Sequence, residues 1–279
     1  MNIWEAIIYG IFGGITELLP ISFSGHVALL RNAFHMSSLT EGGGYYVRAA
    51  ICMGVIVAIF LSFQTESRRL GREVLLMTGI NKRQRGERVN RSLRRSITLG
   101  AFALILMLCS LFFLAAAERI ERLLYIIIFF LINAGMLYLC CRGRVGKKTE
   151  KNVTLLEMLM IGICRMLSVF PGLSSLGTSM AIGRASGFSL NYNIRLAYLL
   201  TLVYQIVLFF FYLIRAFAFG TFTGGIIFPM LFAMLFAAVF GYLAIQYFRY
   251  LLQRMKLYVF VYYSLEVSAL AAILALINA

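Results

Sequence analysis

The chain has 279 residues, of which 61% are hydrophobic and 13% are charged. Soluble domains are about 45–50% apolar and about 25% charged, so a water-soluble globule of this size could not bury so much apolar surface. The composition therefore excludes a cytosolic enzyme, a disordered chain and a disulfide-stapled scaffold. It favours a protein that lies in a lipid bilayer.

The net charge of +15 is concentrated in short windows between long apolar runs: ten basic residues lie in 64–96, five in 142–151 and three in 249–256. Cytoplasmic loops of membrane proteins carry this kind of excess. We therefore attribute the charge to membrane topology and to anionic lipid, and we expect no nucleic-acid partner.

The apolar pattern predicts six spanning helices, each close to the roughly 20 residues that cross the hydrocarbon core. They cover 48–63, 97–117, 123–141, 194–215, 226–248 and 257–278. Two further apolar stretches, 3–31 and 154–187, are interrupted by Pro20 and Pro171 and by the Gly and Ser residues that follow them. Broken backbone cannot face lipid, so each stretch is predicted to be a re-entrant helix pair.

The predicted fold class is an all-α polytopic membrane protein with six transmembrane helices plus two re-entrant helix hairpins in an inverted repeat. If 64–96 lies inside, the other basic windows also fall inside, and the two hairpins enter from opposite faces. The whole of 1–279 forms one membrane domain. Repeat one covers approximately 1–141 and repeat two approximately 154–279, joined by the basic loop 142–153.

The first break carries a carboxylate, two hydroxyls and an imidazole at Glu17, Ser22, Ser24 and His26, with Gly25 between them. Glutamate can bind a divalent cation or act as a base, and histidine exchanges a proton near neutral pH. The alternative is a buried Glu–His hydrogen bond that only pins the hairpin.

The second break offers small and hydroxyl-bearing residues, a combination that suits phosphate oxygens. The alternative is a bend that needs small residues only for packing. Arg165 precedes the break within the same apolar stretch and could reach its tip. The candidates in the break itself are Gly172, Ser174, Ser175, Gly177, Thr178 and Ser179.

The run at 14–26, GITELLPISFSGH, resembles the first signature of the undecaprenyl-diphosphate phosphatase family, also called bacitracin-resistance proteins. The run at 171–179, PGLSSLGTS, is similar to the second. The resemblance implies six spans and two re-entrant hairpins. It also implies hydrolysis of C55-isoprenyl diphosphate to the monophosphate, with a divalent cation (Mg²⁺ or Ca²⁺), at the outer face of the bacterial plasma membrane. This reaction recycles the peptidoglycan lipid carrier.

Carried over residue by residue, the resemblance makes Glu17 and His26 catalytic and Glu17 the metal ligand. The substrate-binding residues are Ser22, Ser24, Gly25, Arg165, Gly172, Ser174, Ser175, Gly177, Thr178 and Ser179. Four positions depart from the family pattern. Gly13 replaces its first glutamate, Phe23 a serine, Ser175 its phosphate-binding arginine and Leu176 the serine that follows it.

Two functions follow from these observations. The first is the family hydrolase, with polyprenyl diphosphate or phosphate lipid and membrane lipids as partners and a homodimer as a candidate assembly. The second is a non-hydrolytic binder or transporter of the undecaprenyl phosphate carrier, because inverted repeats with broken helices also build secondary transporters.

Overall fold

The computed structural model describes residues 1–80, 82, 90–117, 120, 122–143, 146–254 and 256–277, so the predicted basic windows and the last predicted span lie partly outside the described residues. The described chain is a bundle of α-helices. In chain order they are α1 Ile3–Leu18, α2 Phe23–Phe34, α3 Gly44–Ser62, α4 Gln64–Met77, α5 Arg91–Ala117, α6 Leu123–Arg142, α7 Leu155–Leu167, α8 Ser175–Ala185, α9 Leu190–Phe219, α10 Ile227–Gln253 and α11 Tyr258–Ile277.

Within the described residues, six helices are long and apolar enough to cross a membrane, and they match the six predicted spans. They are α3, α5, α6, α9, α10 and α11. The first begins at Gly44, four residues before the prediction, and α10 continues to Gln253, into the third basic window. The sequence pattern also missed α4, which lies in the first basic window, because its many charged residues hide the apolar side of a short helix.

The two interrupted stretches form two helix pairs, α1 with α2 and α7 with α8. The longest of these helices, α1, has 16 residues and is therefore about 24 Å long, which is shorter than a bilayer core. Both pairs begin alike, because α1 starts with a capping box of Asn2 and Glu5 and α7 with a capping box of Thr154 and Glu157.

Each pair is a hairpin whose two ends lie together. At the first, the Glu5 carboxylate accepts hydrogen bonds from the backbone and the hydroxyl of Ser37. At the second, the backbone of Lys148 bonds to Gly187 and Ser189. The first hairpin leads into the start of α3 and the second into the start of α9, and three candidate spans, α3, α5 and α6, lie between them. An odd number of spans between the hairpins is what their predicted entry from opposite faces requires. Their re-entry into a bilayer and the repeat boundaries remain predictions.

Close helix packing fixes the first hairpin. Helix α10 lies along α1 and α3. A Cβ atom at Gly10 would lie 2.6 Å from the carbonyl oxygen of Ala233, and one at Gly14 would lie 2.5 Å from that of Ala237. Larger residues at these positions would push α1 away from α10 and would shift the break that follows α1.

Candidate active site

The turns at the two helix breaks meet inside the bundle. An inverted repeat would bring them together in this way. The backbone N–H of Gly172 in the second turn donates to the Ser22 hydroxyl in the first, at 3.0 Å. The φ angle of Gly172 is +120°, which other residues rarely adopt. A Cβ atom at Gly25 would lie only 2.8 Å from the Gly172 nitrogen. The joint therefore depends on glycine in both turns.

Asn133 of α6 is a second link between the turns, and the sequence analysis did not identify it. Its side-chain oxygen accepts from the backbone N–H of Ser174 at 3.0 Å, and its amide group donates to the carbonyl of Pro20 at 3.3 Å. The same amide group donates to Ser264 of α11 at 3.1 Å. A fully buried asparagine in an apolar helix is the signal that could have identified it.

Ser22 and Ser174 play matching local roles. Each is the N-cap of the helix that follows its break, and each hydroxyl accepts the backbone N–H three residues later, at Gly25 and Gly177 respectively. The N-termini of α2 and α8 are therefore brought to one place. Helix N-termini attract anions, because their N–H groups and the helix dipole favour negative charge.

A polar cavity of about 70 Å³ lies beside this joint, and we call it the inner cavity. An outer cavity of about 90 Å³ adjoins it, and the two share six lining residues: Phe23, Ser24, Arg48, Leu114, Val169 and Tyr212. The outer cavity reaches Leu39, Thr40 and Ile120. The polar residues that line the inner cavity are Thr16, Glu17, Ser22, Ser24, Arg48, Ser168, Ser174, Ser175, Tyr204 and Tyr212.

Glu17 is paired with Arg48 of α3, and sequence reasoning had not identified Arg48 as a site residue. Nη2 of Arg48 donates to Oε1 of Glu17 at 3.0 Å, and both side chains are almost fully buried. Burial of an arginine within an apolar helix costs free energy, and such an arginine usually has a function. This was the signal in the sequence that could have identified Arg48. Pairing with Glu17 offsets the cost of burying either charge.

One departure from the family pattern, Phe23, lies against this pair, and a second, Gly13, lies beside Phe23 and Ile51. The ring of Phe23 lies 3.9 Å from the guanidinium carbon of Arg48. A Cβ atom at Gly13 would lie 2.5 Å from Cγ2 of Ile51, so a glutamate at position 13 would not fit without moving that side chain. Ser175, at the position of the family arginine, lines the inner cavity.

The described lining of the two cavities does not include His26. Its side chain is buried on the opposite side of α2, where Nδ1 contacts the carbonyl of Ser22 at 2.5 Å and Nε2 contacts the hydroxyl of Tyr263 at 2.7 Å. The structure therefore does not place His26 against Glu17. These contacts join α2 to α11 and suit a supporting role.

Arg165 is also buried and bound to neutral oxygens. Nη1 donates to the Ser179 hydroxyl at 2.7 Å and to the Ser175 carbonyl at 3.3 Å, and Nη2 donates to the Thr201 hydroxyl at 3.0 Å. Arg165 thus ties α7, α8 and α9 together behind the inner cavity. The Thr178 hydroxyl donates to the backbone of Ser175, so it too supports the second turn.

The residues present do not fit a divalent cation held by the protein alone. Mg²⁺ and Ca²⁺ take six or more oxygen ligands, often from several carboxylates. Glu17 is the one carboxylate among the described residues that line the two cavities, and it is already paired with Arg48. The cation that the resemblance implies remains a prediction.

Comparison with known proteins identifies the family of this chain. Residues 6–270 match the family described as "Bacitracin resistance protein BacA". Similar proteins include an undecaprenyl-diphosphatase of Methanobrevibacter smithii, 29% identical over 94% of each chain, and one of Methanosphaera stadtmanae, 28% identical over 99% of each chain. A third, from Geotalea daltonii, is 27% identical over 98% of each chain.

The fold and the site thus define a polytopic membrane protein with a buried polar cavity between two broken helix pairs. Because the family match covers nearly the whole sequence, the chain belongs to the BacA family of bacitracin-resistance proteins.

Proposed function

We propose that this protein hydrolyses undecaprenyl diphosphate to undecaprenyl monophosphate and inorganic phosphate. The observation that carries the proposal is the meeting of both signature turns at one polar cavity, in a chain that belongs to this family. The relatives reported above are all named as undecaprenyl-diphosphatases, which favours hydrolysis over the alternative of a non-hydrolytic carrier.

In this reaction the oxygen of a water molecule bonds to the terminal phosphorus while the bridging P–O bond of the anhydride breaks. The lipid monophosphate leaves with the bridging oxygen, and the water proton passes to a base. Glu17 is the carboxylate that lines the inner cavity and is the proposed acceptor of that proton. The hydroxyls of Ser24 and Ser175 and the two helix N-termini would bind phosphate oxygens. His26 would position α2 through its contacts with Ser22 and Tyr263.

The proposed location is the plasma membrane, with the cavity open to the outer face. The outer cavity reaches the segment between α2 and α3 and the one between α5 and α6. Helices α3 and α5 carry the chain between that face and the basic helix α4. Basic segments stay on the cytoplasmic side, so the opening lies on the opposite side of the membrane.

The test is phosphate release from C55 diphosphate by the purified protein in detergent. We expect release by the wild type and a loss of about 100-fold or more in Glu17→Gln, because the proton acceptor is removed. Glu157→Gln is the matched control, since Glu157 is a buried glutamate that lies outside both cavities, and it should retain wild-type turnover. Absence of phosphate release by the wild type would overturn the proposal, and tight binding without release would favour the carrier.

A further inference from the structure

Arg48 has a donor that nothing in the described structure uses. The residue is only 8% exposed. Nη2 donates to Glu17 and the guanidinium group also has a hydrogen-bonding contact with the Tyr212 side chain, but the geometry leaves Nη1 buried without a partner among the described residues. A buried donor without an acceptor is unfavourable, so an acceptor that arrives in the cavity recovers that free energy.

The guanidinium group of Arg48 is held in a fixed orientation between the two cavities. The Phe23 ring covers it at 3.9 Å, the Tyr212 ring lies at 5.3 Å, and Glu17 binds one edge. A guanidinium group with a fixed plane is suited to bind phosphate oxygens in pairs. Arg48 lines both the inner and the outer cavity, so a head group that passes from one to the other meets it.

The charge around the inner cavity is unbalanced. Arg48 and Arg165 are both buried, and Arg165 contacts neutral oxygens with its terminal nitrogens. Nε of Arg165 also has no partner among the described residues. Glu17 is the carboxylate that faces this pair, which leaves two positive charges and one negative charge in a medium of low dielectric constant. An anionic ligand would complete the balance.

We propose that Arg48 binds the terminal phosphate of the lipid diphosphate in this protein, with Glu17 and Phe23 as its positioning residues. In this proposal Arg48 of α3 supplies the positive charge that the family pattern has at position 175. Phe23, which also departs from the family pattern, stacks on the guanidinium plane of Arg48. This inference rests on the proposed function and adds to it the residue that recognises the substrate.

The test measures binding of C15 prenyl diphosphate in detergent, from the rise of the melting temperature with ligand concentration. We expect Arg48→Gln to bind roughly 10- to 100-fold more weakly, because a charge-assisted hydrogen bond to phosphate is lost. The affinity of Arg48→Lys should be intermediate, since lysine keeps the charge but lacks the pair of N–H donors with which a guanidinium group binds two phosphate oxygens. Arg249→Gln is the matched control, because Arg249 also stacks on a phenylalanine, Phe63 at 4.2 Å, outside both cavities.

Loss of Arg48 leaves Glu17 buried without its partner and could prevent folding. The double variant Glu17→Gln/Arg48→Gln removes both charges and keeps the binding test valid. Binding within twofold of the wild type in this variant and in Arg48→Gln would overturn the proposal. In the wild type, inorganic pyrophosphate should compete with the lipid, which would assign recognition to the head group. Competition of equal strength in the Arg48→Gln variant would argue against Arg48.

The inference and the proposed function fail in different ways. If the wild type binds the lipid through Arg48 but releases no phosphate from the C55 substrate, the proposed hydrolase activity is refuted and the proposed phosphate site stands. If Arg48→Gln releases phosphate at the wild-type rate, the hydrolase stands and Arg48 is not its phosphate ligand.

Discussion

Alanine variants of the two N-cap serines can be compared to measure the strength of the hydrogen bond that joins the turns. Ser22 and Ser174 are both buried, and each caps a helix through a glycine N–H, at 3.2 Å and 3.1 Å respectively. Ser22 differs in two respects, because its hydroxyl also accepts the backbone N–H of Gly172 across the joint at 3.0 Å and shares a hydrogen bond with the Ser24 hydroxyl at 3.2 Å. Alanine at each position therefore removes one cap in both cases, and at position 22 it also removes the joint and the contact with Ser24.

The magnitudes follow from these contacts. Loss of an N-cap costs about 1 kcal/mol, which is the whole expected effect of Ser174→Ala. Ser22→Ala also leaves the Gly172 N–H buried without an acceptor, at about 1–3 kcal/mol in general and nearer 1 kcal/mol inside membrane proteins. We therefore expect Ser22→Ala to be the more destabilising of the two by about 1–2 kcal/mol.

The assay is reversible unfolding in mixed micelles with increasing SDS, followed by circular dichroism. Phosphate release by the folded fraction provides a second readout. If the two variants lose equal free energy of unfolding, the bond between Ser22 and Gly172 contributes nothing, and the reasoning that the turns are fixed against each other is refuted.

Three further predictions concern the supports of the site. Asn133→Ala should lower the free energy of unfolding by about 2–4 kcal/mol, because it leaves buried backbone groups of both turns without a hydrogen-bond partner. Unfolding in SDS measures this loss, and a loss below about 0.5 kcal/mol would contradict the role of Asn133. Gly25→Ala should cost at least about 2 kcal/mol and reduce phosphate release, since its Cβ would lie 2.8 Å from Gly172; wild-type behaviour would show that the turns can separate freely. Burial alone would raise the pKa of Glu157, but hydrogen bonds from Lys148 and from the helix cap lower it below 4.5. The stabilisation by Glu157 is therefore present above pH 4.5 and is lost as the pH falls through the lowered pKa, so the destabilisation of about 1 kcal/mol by Glu157→Ala should be seen at pH 7 and shrink at low pH in melting curves.

Much of the fold could be predicted, because membrane spans depend on local hydropathy and the breaks on local Pro, Gly and Ser. All six spans were predicted in this way. Helix α4 was missed because an amphipathic helix rich in charge gives no hydropathy signal.

The site was harder to predict, because its pairings link distant parts of the chain. The sequence identified Glu17 but not Arg48, which lies 31 residues away. It placed His26 beside Glu17, whereas the structure gives it Tyr263 as a partner, 237 residues further along the chain. Periodicity places a residue on a helix face, but only helix packing decides which faces meet.

The bonds between the turns also bear on how substrate reaches the site. Transport by alternating access needs one repeat to rock against the other around the midplane. Here such rocking would break the Ser22–Gly172 bond and the bonds of Asn133 to Ser174 and Ser264 in every cycle. A core joined in this way favours a lipid head group that binds and leaves without a rearrangement of the two turns.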